Sequence, residues 1–245
     1  FVNATAEEEE NFKKRSAQIA GCFRNGVCVD PEGLVLYHRA RLRILSMASE
    51  KISRMEEILG AVKERDHFIV YCGDGRLYGD NQDEMRHIQF VKRKLSELGF
   101  KSSQFTASES MMERMDLVEA FNEGSIDCLA AIRCLDEGIN IPSIAGALIL
   151  SSNDDYREFV QRRGRILRKH GGKKYANIYD VIVLPSGETA KMAEIELRRY
   201  YEYARLALNA GELLTQLDSI AADYGLETAD FVSAFEEGKE AELDD

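Results

Sequence analysis

The 245-residue sequence predicts an α/β fold: a parallel sheet flanked by helices, with helical extensions at both ends. Three observations predict it. Between about residues 67 and 185, short apolar runs alternate with helical patterns, and such β-α alternation implies a parallel sheet covered by helices. Two of the runs, Ile126 to Ile132 and Ala145 to Leu150, are nearly continuous in apolar residues, as strands buried on both faces are. The segments before and after this region instead carry apolar residues at helical spacing.

Taken in order, the first segment (1–64) reads as helical. The acidic run Glu7 to Glu10 leads into Phe12, Ile19 and Phe23, and reads as a solvated helix start. A second helical pattern follows through Leu34, Leu42, Leu45, Ile52, Met55 and Leu59; the step Asp30-Pro31-Glu32 supplies a cap and then proline at the first helical position. In the middle segment (65–186), HFIVYC (67–72) is a strand that ends in a turn with Gly73, Gly75 and Gly79. A helix is expected over 83–98, a strand over 101–107, and a helix over 108–121 started by Ser108 or Ser110. After the two buried strands, a helix runs from about Tyr156 to Leu167, and ANIYDVIVL (176–184) forms the last strand. The third segment (187–245) is helical through Ile195, Leu197, Tyr200, Leu206 and Leu208. A short helix is expected near Ala229 to Phe235, and a solvated tail follows.

Composition narrows the function. The longest apolar run is far too short to cross a bilayer, so no membrane role is expected and a cytoplasmic location is. Five cysteines (Cys22, Cys28, Cys72, Cys128, Cys134) form no CxxC pair and read as buried thiols, with no metal site. A net charge of -11 argues against blanket attraction to nucleic acid but leaves room for a local basic groove. The chain opens on Phe1 rather than Met, which reads as a processed chain or as a piece excised from a longer one. The glycine turn GDGRLYG (73–79) matches neither GxxxxGK[ST] nor GxGxxG, so it reads as a structural turn and the chain shows no primary nucleotide-binding loop.

Against this acidic background stands QRRGRILR (161–168). On a helix, Arg162, Arg165 and Arg168 fall on roughly one face, and Gly164 leaves room between them for a close neighbour. Planar, permanently charged forks suit phosphate oxygens. Surface ion pairs with Asp154, Asp155 or Glu158 explain the cluster equally well when it is taken alone. A companion stretch, IRCLDEGINIP (132–142), leaves a strand at the same carboxyl edge of the sheet, where open α/β sheets bind ligands.

In these pieces the sequence resembles the C-terminal motor lobe of superfamily 2 helicases, a RecA-like domain. HFIVYC looks like motif IV, CLDEGINIP like motif V and QRRGRILR like motif VI. FTASES and ERMDLVEAFNEGSIDCLAAI match the strand-helix-strand between them. The wording of the last motif is similar to XPB-like repair helicases and restriction or defence translocases. The resemblance implies an ATP-dependent helicase or translocase of which this chain is one lobe, inactive alone. ATP and Mg²⁺ would be held mainly by a missing N-terminal lobe of the same parent chain. Arg165 and Arg168 would be catalytic arginine fingers; Gln161, Arg162, Gly138 and Asn140 would meet the nucleotide or that lobe. Thr106, Ser108, Arg76 and Lys169 would grip a nucleic-acid backbone, DNA being favoured. Many members have Asp where this chain has Asn140, and Thr or Ser where it has Ile132. The basic turn Lys169, His170, Lys173, Lys174 reads equally as a further backbone contact or as a solvated hairpin tip. A non-catalytic helicase-like scaffold or nucleic-acid-binding module is the alternative. An independent small-molecule enzyme lacks any matching side-chain constellation.

Overall fold

Apolar runs with β-branched and aromatic residues pair where they can bury both faces, and that builds the centre of the structure. A computed structural model describes residues 1–62, 65–78, 84–132, 141, 144–151, 156–169, 173–187 and 189–229, with backbone alone for 76–78, 84 and 156–160. In chain order the elements are β1 (Val2–Asn3), α1 (Ala6–Gly21), β2 (Phe23–Arg24), β3 (Val27–Cys28), α2 (Pro31–Ser46), α3 (Glu50–Ala61), β4 (Phe68–Tyr71), β5 (Arg76–Tyr78) and β6 (Glu84–Arg86). There follow α4 (His87–Glu97), β7 (Ser102–Phe105), α5 (Met111–Asn122), β8 (Cys128–Ala131), β9 (Gly146–Ile149), α6 (Tyr156–Ile166), β10 (Asn177–Asp180), β11 (Val183–Leu184), α7 (Ala190–Ala204) and α8 (Ala210–Asp223).

The sequence pattern predicts three consecutive segments, and the chain folds as two compact units: Leu45–Val181 is one, and Phe1–Ile44 with Ile182–Asp245 is the other. The first holds a five-stranded sheet in the order β10-β9-β4-β8-β7, parallel throughout. Every residue of β4, β8 and β9 is buried. The connection leaving β4 runs toward β7 and the one leaving β9 runs toward β10, so these two neighbouring strands send the chain in opposite directions. Such a reversal opens a crevice at the carboxyl ends of the strands. Burial also pushes the Cys72 and Cys128 thiols up, which keeps them protonated and inert.

In the second unit β1 pairs with β11, and the core gathers Ile182, Leu184, Ala193, Leu197, Leu217 and Ala221. The acidic run at the start of α1 is less solvated than its composition suggests. Glu8 closes a capping box with Thr5, and Glu9 is buried, accepting the Ser186 N–H at 2.6 Å and the Thr189 hydroxyl at 3.2 Å. Its partners lie some 180 residues away in sequence, where no local pattern announces them. Glu196 plays the same part on α7: buried, it accepts the Val183 N–H at 2.8 Å and is matched by Arg199 at 2.7 Å.

Three expectations are corrected by the backbone. The helix expected from residue 83 begins at His87, because residues 84–86 form a hairpin strand with β5. The single strand expected over 176–184 divides into β10, in the large sheet, and β11, paired with β1 in the other unit. The second helical pattern of the first segment is two helices, α2 and α3. Pro31 does open α2, with Asp30 Oδ1 accepting the Gly33 N–H at 2.9 Å. Ser110 caps α5 in a capping box with Glu113. The helix expected near 229–235 and the tail lie outside the described residues, as does Cys134.

Candidate functional site

Where the chain leaves β4 and β9, four polar side chains converge on the switch point of the sheet. Lys51, 1% exposed, donates from Nζ to the Leu150 carbonyl at 2.7 Å. Arg162 of α6, 3% exposed, donates to the Ser151 carbonyl at 2.7 Å and lies over the Tyr71 ring at 4.7 Å. His87, at the start of α4, accepts the Gly73 N–H on Nδ1 at 2.9 Å. The imidazole therefore carries its proton on Nε2. Tyr71 closes the group by accepting the Leu150 and Ser151 N–H groups on its backbone carbonyl.

This arrangement explains the glycine turn. A Cβ on Gly73 would stand 2.9 Å from the Met47 sulfur and 3.3 Å from His87 Nδ1, so a side chain there would displace the Met47 thioether and crowd the imidazole. Burial holds the His87 ring at about 4, well below its ordinary value, and the Lys51 charge adds to the effect. The start of the turn, at Gly73, is thus packed into its own sheet edge.

Arg162 is buried and braces the site, donating to the Ser151 carbonyl. A guanidinium buried against a carbonyl and a ring fixes the rotation of α6 about its axis. Arg165, one turn further on, is half-buried, while Gln161 and Arg168 are exposed. Gly164 is exposed and a Cβ there would meet nothing within 4 Å. After α6, Lys173 Nζ reaches back to the carbonyls of Ile166 and Arg168, satisfying the end of the helix. That lysine serves the turn itself; Lys169 and Lys174 remain exposed.

The expected backbone-gripping residues sit beyond β7. Thr106 is buried: its N–H and hydroxyl both meet Glu109 Oε2, at 2.6 and 2.7 Å, and its hydroxyl lies 2.5 Å from that of Ser108. Gln104 donates to the other Glu109 oxygen at 2.7 Å. Burial raises the Glu109 carboxyl, but these hydrogen bonds outweigh it and hold the group below its usual range. Ser108, exposed, is therefore the open member of the loop, with Thr106 holding its shape. Gly138 and Asn140 lie outside the described residues, as does the side chain of Arg76. Ile132 is buried at the end of β8.

Sequence reasoning passed over Lys51, His87 and Glu109. Lys51 carried a signal: it stands four and eight residues before Met55 and Leu59, on the buried stripe of α3. Among the described residues no cluster of His, Cys, Asp and Glu is gathered as for a metal, and no helix is long and apolar enough to cross a membrane.

Known proteins resemble parts of this chain in sequence and in fold. The family described as helicase conserved C-terminal domain matches residues 50–170. The DNA 3'-5' translocase XPB2 of Sulfurisphaera tokodaii is 27% identical over 138 residues, which cover 56% of this chain and 28% of that protein. UvrABC system protein B of Leptospira biflexa is 29% identical over 137 residues, covering 51% of this chain and 20% of that one. Among solved structures, the Sulfolobus solfataricus SWI2/SNF2 ATPase core in complex with dsDNA aligns with a TM-score of 0.54 at 16% identity, over 83% of this chain and 42% of that chain. That last likeness is one of fold.

Proposed function

We propose that this chain, whose residues 50–170 match the helicase conserved C-terminal domain family, is the second motor lobe of an ATP-dependent DNA translocase or helicase. ATP and Mg²⁺ are held by an N-terminal lobe of the parent protein. Arg165 and Arg168 complete that site from this side, stabilising charge on the transferring phosphoryl group. Gln161, Gly138 and Asn140 border the nucleotide. Ser108, with Thr106 behind it, and Lys169 and Arg76 touch the nucleic-acid backbone without reading bases. The segments at either end, 1–64 and 187–245, supply contacts particular to this protein.

One observation supports the reading: Arg162 ties α6 to the carboxyl ends of β4 and β9 through Ser151 and Tyr71, and on this reading Arg165, one turn further along the helix, and Arg168, just past its end, face the switch point of the sheet. A helix held there by a buried cation presents further cations where an open α/β sheet takes its ligand. A two-lobe site makes a direct demand. The isolated chain is expected to hydrolyse no ATP above background, and addition of the P-loop lobe of the parent protein restores turnover. Robust hydrolysis by the chain alone overturns the two-lobe account, and a mixture that stays silent while the parent is active favours a scaffold.

Gly164 offers a test in which stability and activity move in opposite directions. Alanine there enters open space and stabilises the last turn of α6 by about 0.5–1 kcal/mol, raising the unfolding midpoint of the chain by about 2 °C. If Gly164 is bare to admit the facing lobe, the same Gly164→Ala change lowers nucleic-acid-stimulated ATPase of the parent about tenfold or more, as small misplacements of reacting groups do. Unchanged turnover removes the close-approach role.

A further inference from the structure

α5 turns the wrong kind of residue outward. At about 100° per residue, Met111, Met112, Met115, Asp116, Glu119, Asn122 and Glu123 share one side of the helix, and all are exposed. The opposite side buries Phe121 and Arg114, at 0% and 8% exposure. The three methionines are 62%, 75% and 60% exposed. Single exposed apolar residues are ordinary; three on one helix face form a contiguous patch of the kind that marks an interaction surface. Methionine, unbranched and polarisable, adapts to partners of varied shape.

The charge around the patch selects the partner. Glu113, Asp116, Glu119 and Glu123 are exposed around or beyond the methionines, while the helix's one cation, Arg114, faces inward. Phosphate backbones and anionic membranes are repelled by such a rim. We propose that the outward face of α5 docks a basic amphipathic segment of a partner protein, its apolar side on Met111, Met112 and Met115 and its Lys or Arg residues against Asp116, Glu119 and Glu123. Helix-on-helix recognition of this sort needs only anchors at i, i+3, i+4 and i+7 with flanking complementary charge. The inference stands apart from the ATP and nucleic-acid readings, since it uses none of their residues.

The probe is a synthetic helical peptide with leucines on one face and Lys and Arg on the other. Two controls accompany it: the same peptide with Glu for every Lys and Arg, and a scrambled one of equal charge without the apolar face. Titrated into the full 245-residue chain, only the first is expected to bind saturably. Met112→Gln with Met115→Gln weakens that binding by about tenfold, the scale of one interface anchor, and Asp116→Asn with Glu119→Gln does the same. Glu212→Gln on α8 changes nothing. Circular dichroism checks that the variants, all at exposed sites, keep the native fold. Binding that ignores the methionines, or equals that of the scrambled peptide, overturns the proposal as mere attraction to an acidic protein, and so does absence of binding. Two other results overturn it by naming a different occupant: variants that weaken binding of a DNA oligonucleotide, and self-association of the chain, seen by light scattering, that the methionine changes abolish.

Discussion

In the parent motor, Arg165→Ala is expected to lower nucleic-acid-stimulated ATP hydrolysis by about 10³-fold or more, the scale on which an arginine finger acts. The size follows from what the group meets in the proposed two-lobe site. In the transition state negative charge spreads over three phosphoryl oxygens, and a planar fork of fixed charge, already positioned, stabilises it without reorganisation. The loss belongs to kcat rather than to the KM for ATP, because the contact is strongest in the transition state. Arg165→Lys retains the charge but not the fork and recovers only a small part of the rate. The fold survives either change. The bond that sets the position of α6 belongs to Arg162 and Ser151, whereas Arg165 is half-buried at the following turn. Near-normal turnover of the alanine variant, with unchanged thermal unfolding, ends the finger assignment.

How far such a reading could be made from the sequence depended on the range of the interactions involved. β8 and β9 were legible because a strand buried on both faces needs an unbroken apolar run, and the start of α5 because Ser110 and Glu113 cap it from within four residues. Elements whose cause is distant were not. The hairpin of β5 and β6 has no alternation of its own; residues 84–86 are extended because residues 76–78 pair with them. The stretch 176–184 looks like one strand, and only the positions of β9 and β1 divide it. The site follows the same division. The arginines stood out by charge, but the distinction between Arg162 and its neighbours required Ser151 and Tyr71, which reach it only once the sheet has formed. The methionines of α5 share the helix with Leu117, Val118 and Phe121, so apolar count alone does not say which of them face inward.

Acid is expected to weaken the sheet-bearing unit through His87, over a window that its surroundings define. The ring is 1% exposed, accepts the Gly73 N–H on Nδ1, and titrates at about 4 instead of 6.5, chiefly by burial and then by the nearby Lys51 charge. Above pH 6.5 the imidazole is neutral in both folded and unfolded chains. Between pH 6.5 and 4 the unfolded chain takes up a proton that the folded chain refuses, so stability falls as pH falls; below about 4 both are protonated and this loss is complete. At about 1.36 kcal/mol per pH unit, the full effect is about 3 kcal/mol. A proton forced onto Nδ1 also removes the acceptor of Gly73 and sets a second cation beside Lys51, so opening starts at the carboxyl ends of the strands. His87→Asn keeps an acceptor for Gly73 but cannot be protonated in this range. The variant is expected to be less stable than the native chain at pH 7, yet to lose about 3 kcal/mol less than it between pH 7 and pH 4 in urea unfolding. Histidine ring resonances of the native chain should show His87 neutral at pH 5, and the Gly73 amide should lose its protection from hydrogen exchange as the pH approaches 4. Equal acid sensitivity of the two chains would place the titrating group elsewhere.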